Sequence, residues 1–265
     1  MGLAHLSALR LPPVELIRAA RAAGFASVGL RVSSAAPGSP FYPIIAGSEE
    51  VRQVRTVLQD EGIQLAEVEL IPLVPTLDPA SVLPVLETGA ELGATMLGVT
   101  GDDPDRAALI AKFAAICDLA DGFGMGVQIE YMRWRDAANL QDALEIVTGA
   151  GRANGHILVD ILHHFRAGGS VAELGEVPAG MVSLVHLCDA PTTLPNGLTI
   201  TDEARAGRHP VGEGELPIRE ALLALMGSPN FAVELPMELT RPELSVLESL
   251  RLGRVSAVKM IETLP

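Results

Sequence analysis

The chain has 265 residues, of which 48% are hydrophobic, 20% charged and only 3% aromatic, and its 19 basic and 33 acidic side chains give a formal net charge of −14. A surface that binds nucleic acid needs basic side chains to neutralise phosphates, so this charge argues against nucleic acids and anionic membranes as partners. The hydrophobic fraction suffices for a sizeable core and argues against a disordered chain.

Short apolar runs alternate with longer amphipathic runs along the chain, a pattern typical of βα units around a parallel sheet. The predicted strands are residues 2–7, 26–31, 64–69, 95–100, 126–131, 156–160, 181–187 and 231–235. A (β/α)₈ TIM barrel needs about 250 residues. The pattern therefore predicts an α/β fold in which residues 1–265 form a single TIM-barrel domain.

The predicted helices are residues 12–23, 48–61, 79–92, 104–122, 138–148, 217–226 and 241–262, with a short, weak helix at 170–177. Ser48 is the predicted N-cap of the second helix, and the glycine-rich residues 149–155 predict a helix C-cap and turn rather than a nucleotide loop. The Pro/Gly-rich residues 33–47 and 189–214 predict long irregular loops on the active-site face of the barrel.

The cysteines and the N-terminal residues bear on the compartment. Cys117 and Cys188 form neither a disulfide framework nor a Cys-x-x-Cys metal pair, which is typical of a reducing compartment. The first residues lack the basic and apolar regions of a signal peptide, and no stretch approaches the roughly 20 apolar residues of a membrane span. These features predict a cytoplasmic protein.

The ends of the predicted strands carry the candidate chemistry, because strand ends in a TIM barrel converge on one pocket. In chain order the end residues are His5, Arg31, Glu69, Thr100, Glu130, Asp160, His186 and Glu234. Any one of them alone is as readily a helix N-cap or an ion-pair partner. However, three carboxylates in one barrel mouth repel each other, which a cation would relieve. This oxygen-rich set suits Mn²⁺ or Mg²⁺, with Co²⁺, Fe²⁺ or Zn²⁺ as alternatives.

Five segments resemble a known family. They read Val-Gln-Ile-Glu at 127–130, Leu-Val-Asp-Ile-Leu-His at 158–163, Val-His-Leu-Cys-Asp at 185–189, Arg-His-Pro-Val-Gly-Glu-Gly at 208–214 and Phe-Ala-Val-Glu at 231–234. Their order resembles the sugar phosphate isomerase/epimerase group of xylose-isomerase-like TIM barrels, over essentially the whole chain. The resemblance implies that Glu130, Asp160, His186 and Glu234 bind one divalent metal ion, and that His163 and Arg208 contact the substrate.

The same superfamily includes apurinic endonucleases with a three-metal zinc cluster. Those enzymes carry an Asp-x-His pair before the Gly-Glu-Gly turn, where this chain has Ala206, Gly207 and Arg208. Strands three and four end in Glu69 and Thr100, so the ligands for further metals are missing. A DNA-repair nuclease is therefore not expected, in agreement with the acidic net charge.

The resemblance also implies a reaction. One divalent ion between two glutamates holds a hydroxyl and a carbonyl oxygen of the substrate and stabilises the enediolate that forms when a carbon-bound proton leaves. Glu130 and Glu234 match the two glutamates that exchange this proton in related ketose epimerases, which predicts a metal-dependent isomerase or epimerase of a sugar or sugar acid. The alternatives are a dehydratase of a cyclic hydroxyketo acid, such as 3-dehydroshikimate, or of an inosose, and a non-catalytic sugar- or metal-binding barrel.

Further residues bear on the substrate. The guanidinium of Arg208 suits a carboxylate, a phosphate or paired hydroxyls, with a loop ion pair to Glu213 or Asp202 as the alternative. Trp134 and Arg133, in the loop after strand five, are predicted to wall the substrate pocket, with packing of Trp134 on the rim as the alternative.

Arg31, Arg133, Arg135 and Arg208 would make the mouth favourable to an anion, so the expected partner is a small polyhydroxylated or anionic carbonyl compound. A homo-oligomer is left open. His5 either lines the pocket or is a hydrogen-bonded core histidine.

Overall fold

The strands close into a parallel barrel in the order of the chain, with β1 hydrogen-bonded to both β2 and β8. The computed structural model describes residues 1–36, 38–225 and 230–265. The strands are β1 Gly2–Leu3, β2 Ser27–Arg31, β3 Gln64–Leu73, β4 Met96–Gly101, β5 Gly126–Glu130, β6 Gly155–Asp160, β7 Val182–Leu187 and β8 Asn230–Val233. The predicted TIM barrel is confirmed.

Helices connect the strands on the outside of the barrel. They are α1 Pro13–Ala23, α2 Glu49–Glu61, α3 Leu83–Leu92, α4 Arg106–Asp121, α5 Leu140–Ala150, α6 Ile161–Arg166, α7 Val171–Gly175, α8 Ile200–Ala206, α9 Ile218–Ala224 and α10 Val246–Ile261, with 3₁₀ helices at His5–Ala8 and Pro79–Val82. No helix in the described part of the chain is long and apolar enough to cross a bilayer.

Local signals explain where several helices begin and end. The hydroxyl of Ser48 accepts a hydrogen bond from the backbone N–H of Val51, as the predicted N-cap requires. Gly151 ends α5 in the left-handed conformation, at a φ of 60°, which confirms the predicted C-cap and turn. In contrast, α10 begins after a capping box formed by Ser245 and Glu248, so the predicted start at residue 241 was too early.

Other predicted boundaries need correction. Strand β1 ends at Leu3, because the chain turns into a 3₁₀ helix at His5, and β3 continues to Leu73, so Glu69 lies within the strand. The loop predicted at 189–214 contains the helix α8, and the sequence prediction missed α6. The helix end predicted at Met226, and Pro37 in the first long loop, lie outside the described residues.

The barrel interior holds the residues that position the site. Side chains alternate between the two faces of a strand, so Leu158 faces the same side as Asp160, Leu184 as His186, and Ala232 as Glu234. Leu158, Leu184 and Ala232 form a buried apolar cluster of their own. The polar residues at the strand ends therefore rest on an apolar layer, which keeps them at the carboxyl-terminal end of the barrel.

Candidate metal centre

Three acidic side chains meet at the carboxyl-terminal end of the barrel. Glu130 and Asp160 are the last residues of β5 and β6, and Glu234 directly follows β8. All three are buried, and each of them, together with His163, offers one ligand atom within 4.8 Å of the others. The structure thus brings together the three predicted carboxylates.

His186 lies among the same carboxylates. It pairs in register with Asp160 on the neighbouring strand, and its Nδ1 lies 3.6 Å from Oε1 of Glu234. The same nitrogen is 4.0 Å from Oε1 of Glu130 and 4.0 Å from Oδ2 of Asp160. This location favours the predicted ligand role of His186, which stays a prediction.

His163 approaches the carboxylates from the helix that follows β6. Asp160 caps this helix, because its Oδ1 accepts a hydrogen bond from the backbone N–H of His163 at 2.9 Å. Nε2 of His163 lies 3.7 Å from Oε1 of Glu130, and the ring meets Trp134 edge-on at a centroid distance of 5.0 Å. His163, predicted to contact substrate, is therefore also within reach of a metal held by the carboxylates.

Arg208 is fully buried and bridges two of the predicted ligands. Its Nη1 donates to Oδ2 of Asp160, and its Nη2 lies 2.7 Å from Oε2 of Glu234. The alternative of a loop ion pair is not what the structure shows, since Glu213 instead pairs with Arg241 and Asp202 caps α8. The guanidinium offsets part of the negative charge that the acids place in the barrel.

The two glutamates experience opposite electrostatic environments. Burial raises the pKa of Glu130 well above its usual value, and the neighbouring Glu234 raises it further. Burial also acts to raise the pKa of Glu234, but Arg208 and His186 outweigh it and hold that pKa well below the usual value. Burial would lower the pKa of His186, yet Glu234 and Glu67 raise it well above the usual value. Groups whose pKa values are driven apart in this way are candidates for acid–base work.

The donor set fits a divalent cation. Oε1 of Glu130, Nδ1 of His163 and both ring nitrogens of His186 are buried, and they lack a hydrogen-bond partner among the described residues. Buried polar atoms without partners are costly, and a cation would satisfy carboxylate oxygens and an imidazole nitrogen together. The cluster therefore indicates a divalent metal site, although the donors do not select one metal.

A cavity of about 260 Å³ opens beside these residues at the carboxyl-terminal end of the barrel. Among the predicted site residues it is lined by Glu130, His163, Glu234, Arg208 and Trp134. A larger cavity of about 1120 Å³ lies at the opposite, amino-terminal end. The candidate chemistry belongs to the smaller cavity, because Glu130 and Glu234 line that one.

The loop after β5 contributes a different arginine from the one predicted. Arg133 is exposed, does not line the cavity, and donates from Nη1 to the carbonyl oxygen of Arg166. Arg135 lines the cavity instead, where it pairs with Asp102 and donates to the carbonyl oxygen of Ala35. The sequence could not distinguish Arg133 from Arg135, because side chains in a loop do not alternate between two faces as they do in a strand.

His5 is the hydrogen-bonded core histidine that the sequence left as one of two options. Its Nδ1 accepts from the backbone N–H of Arg31 at 2.9 Å, and its ring stacks on Tyr42. The side chain of Arg31 lines the cavity and pairs with Glu69 at 3.0 Å. Sequence reasoning missed Glu67, although its spacing of two residues from Glu69 on a strand predicts a shared face.

Comparisons with known proteins agree with this architecture. The chain matches a protein described as IOLI with a binding zinc atom at 17% identity and a TM-score of 0.79, covering 98% of this chain and 97% of that one. A D-psicose 3-epimerase in the presence of D-fructose matches at 14% identity and a TM-score of 0.75, covering 99% and 98%. The probable 3-DHS dehydratase AsbF from Bacillus anthracis matches at 15% identity and a TM-score of 0.74, covering 97% and 98%.

A xylose isomerase-like TIM barrel/4-hydroxyphenylpyruvate dioxygenase fusion protein matches at 18% identity and a TM-score of 0.81, covering 98% of this chain but only 42% of the fusion protein. No curated protein matches the chain.

Fold and site together define a class: parallel eight-stranded barrels with a buried carboxylate–histidine centre at the carboxyl ends of the strands. Residues 17–254 match the family described as xylose isomerase-like TIM barrel, and the chain belongs to that family. The match confirms the resemblance found in the sequence. Both an epimerase and a probable dehydratase share the fold, so the family assignment leaves the reaction open.

Proposed function

We propose that the protein is a divalent-metal-dependent isomerase or epimerase of a sugar or sugar-acid carbonyl compound. The observation that carries the proposal is the placement of Glu130 and Glu234. They extend from strands three positions apart in the barrel, line one cavity, and have pKa values shifted in opposite directions. Two such carboxylates are what a proton transfer next to a carbonyl needs.

The residues divide the work as follows. Arg208 keeps Glu234 ionised, so this carboxylate is ready to accept a proton from the carbon beside the carbonyl. Glu130 lines the same cavity and returns a proton to the resulting enediolate through its second carboxylate oxygen, the one that does not hold the ion. Return of a proton to the same carbon from the other face gives an epimer, and return to the neighbouring carbon gives an isomer.

We propose Glu130, Asp160, His186 and Glu234 as the residues that hold the ion, since Nδ1 of His186 approaches all three carboxylates. When bound, a divalent ion supplies electrostatic stabilisation for negative charge on the substrate oxygens. Mn²⁺ and Mg²⁺ suit this oxygen-rich set best. His163, Trp134 and Arg208, which line the cavity, are the proposed substrate contacts.

The cavity also supports an anionic substrate. Arg10 and Arg205 line it, are exposed, and form no ion pair among the described residues, whereas Arg31, Arg135 and Arg208 are each paired with an acid. Against these two unpaired guanidinium groups the mouth carries, among the described residues, one exposed acid without an ion pair, Glu238, and the remaining excess of positive charge favours a carboxylate or phosphate on the outer end of the substrate.

A dehydratase of a cyclic hydroxyketo acid is the second candidate, because the probable 3-DHS dehydratase shares this fold and the same proton abstraction could start a loss of water. Incubation in D₂O with Mn²⁺ and a panel of ketoses, cyclitol ketones and 3-dehydroshikimate separates the candidates. Deuterium uptake into a compound that has not lost water supports the isomerase or epimerase, whereas loss of water supports the dehydratase.

A barrel that only binds its ligand would bind a member of the panel without either change. Glu213→Gln is a suitable control for substitutions of Glu130 and Glu234 in this assay. Glu213 is half exposed, pairs with Arg241 and lies outside the acidic cluster. Absence of any Mn²⁺ binding by the wild-type protein would refute the proposed metal site.

A further inference from the structure

Another buried acid, Glu67, lies in the barrel beneath the cluster. It belongs to β3 and is only 3% exposed, although it is not among the acids that converge on the cavity. An acid this deep needs partners for both carboxylate oxygens. The groups that face these two oxygens indicate the role of Glu67.

One carboxylate oxygen of Glu67 points to His186. Oε1 lies 3.6 Å from Nε2 of His186, on the side of the ring opposite Nδ1, which faces the other carboxylates. Nε2 of His186 has no hydrogen-bond partner at shorter range among the described residues. Glu67 is therefore the nearest acceptor for a proton on that nitrogen.

The other oxygen of Glu67 is held from a third strand. Nε2 of Gln128, on β5, donates to Oε2 of Glu67, and the hydroxyl of Ser183, on β7, donates to Oε1 of Gln128 at 2.6 Å. Gln128 is fully buried, whereas Ser183 is only partly buried, and this chain of hydrogen bonds lies beside the larger cavity at the amino-terminal end. It keeps the Glu67 carboxylate from rotating away from His186.

Two glycines on the neighbouring strands leave room for Glu67. A Cβ at Gly29, on β2, would lie 3.1 Å from both Cγ and Oε1 of Glu67, and a Cβ at Gly98, on β4, would lie 3.4 Å from Oε2. A Cβ at Gly29 would crowd the carboxylate, whereas one at Gly98 would only reach van der Waals contact with it. The glycine at position 29 thus leaves the space that the Glu67 side chain occupies.

We infer that Glu67 is a positioning residue that orients His186, so that Nδ1 is turned toward Glu130, Asp160 and Glu234. When a metal ion takes the Nδ1 lone pair, the imidazole keeps its proton on Nε2, where Glu67 is the facing acceptor and fixes the ring. The inference rests on the metal centre proposed above. It adds a role for a residue that does not line the smaller cavity at the carboxyl-terminal end.

Metal affinity and the exchange of the His186 Nε2 proton test this inference without any activity assay. Calorimetric titration with Mn²⁺ is expected to show binding by the wild type, binding several-fold weaker by Glu67→Gln, and a loss of about 10- to 100-fold for Glu67→Ala. The glutamine keeps an acceptor of similar shape but loses its charge. Val68→Ala is the matched control, because Val68 is equally buried on the same strand but packs outward near Gly89 of α3.

Nitrogen NMR of ¹⁵N-histidine protein loaded with Zn²⁺ gives the second readout. Because Zn²⁺ on Nδ1 leaves the proton on Nε2, we expect the Nε2–H of His186, assigned with a His186→Asn variant, to exchange slowly with solvent in the wild type and faster in Glu67→Ala, which lacks its acceptor. Wild-type Mn²⁺ affinity in either Glu67 variant overturns the inference. Should Glu67→Ala fail to fold, the affinity of Glu67→Gln alone decides. If the wild type itself binds no metal, it is the proposed metal centre that fails.

Discussion

Arg208 and Asp160 form an ion pair in which neither side chain has any exposed surface. The residues are 48 positions apart in the chain, and Arg208 is held in place by a further hydrogen bond from Nε to the carbonyl oxygen of Ala204. Burial would lower the pKa of Arg208, but Asp160 outweighs it and raises that pKa well above the usual value. The guanidinium is therefore a permanent cation inside an acidic cluster.

Arg208→Met is expected to destabilise the metal-free protein. Removal of one partner from a buried ion pair leaves an uncompensated charge, at a cost of about 3–5 kcal/mol. Denaturant unfolding with and without Mn²⁺ measures the effect, and added metal should restore part of the loss because it supplies the missing positive charge. Arg241→Met, which removes an exposed pair with Glu213, should cost less than about 1 kcal/mol. Equal stability of the two variants would contradict the role of Arg208.

Substitution of either Glu130 or Glu234 should slow the reaction strongly. Glu130→Gln and Glu234→Gln remove the groups that exchange protons, so we expect kcat to fall about 10²- to 10⁴-fold on whichever panel compound is turned over, at saturating Mn²⁺. Steady-state rates and deuterium uptake are the measurements. Glu213→Gln should retain the wild-type rate, and a kcat near the wild-type value for either cluster variant would exclude that residue from proton transfer.

Metal affinity should rise with pH. Because the pKa of Glu130 is raised, the metal-free protein keeps a proton on this carboxyl above the ordinary glutamate range, and a cation must displace it. Binding therefore weakens as the pH falls through this raised pKa. Calorimetry in buffers of different ionisation enthalpy should detect a released proton, and pH-independent affinity without proton release would contradict the expectation.

The same shift affects the stability of the metal-free fold with the opposite sign. A carboxyl whose pKa is raised on folding binds its proton more tightly in the folded state, so its contribution to stability falls as the pH rises from the ordinary glutamate range to the raised pKa. Glu130→Gln removes this dependence, and unfolding curves of the two proteins across that pH range provide the comparison.

Both cysteines should be inert in the folded protein. Burial raises the pKa of the Cys117 and Cys188 thiols to about 12, so almost no thiolate exists at neutral pH. Ellman's reagent should label neither thiol in the native protein and both after unfolding in guanidinium. Fast labelling of the native protein at either position would contradict this expectation.

Much of the site could be predicted from the order of residues because a strand presents side chains with a period of two and parallel strands end at one edge of a barrel. Glu130, Asp160, His186 and Glu234 all follow from this rule, and the structure brings them together. The rule fails where backbone geometry changes. The turn into a 3₁₀ helix takes His5 out of β1, and the long β3 places Glu69 before the strand end.

The sequence by itself predicted the barrel, because the alternation of strands and helices follows from hydrophobic periodicity and short-range capping. It also predicted the acidic ends of the later strands, because these residues directly follow apolar runs. The partners within the barrel required three-dimensional contacts between distant segments. Glu67 faces His186 only because the strands close into a barrel with glycines beside it, and Arg208 reaches Asp160 and Glu234 only when its loop folds back over the strand ends. Charge pairing between distant strands depends on register and depth, which no local pattern encodes.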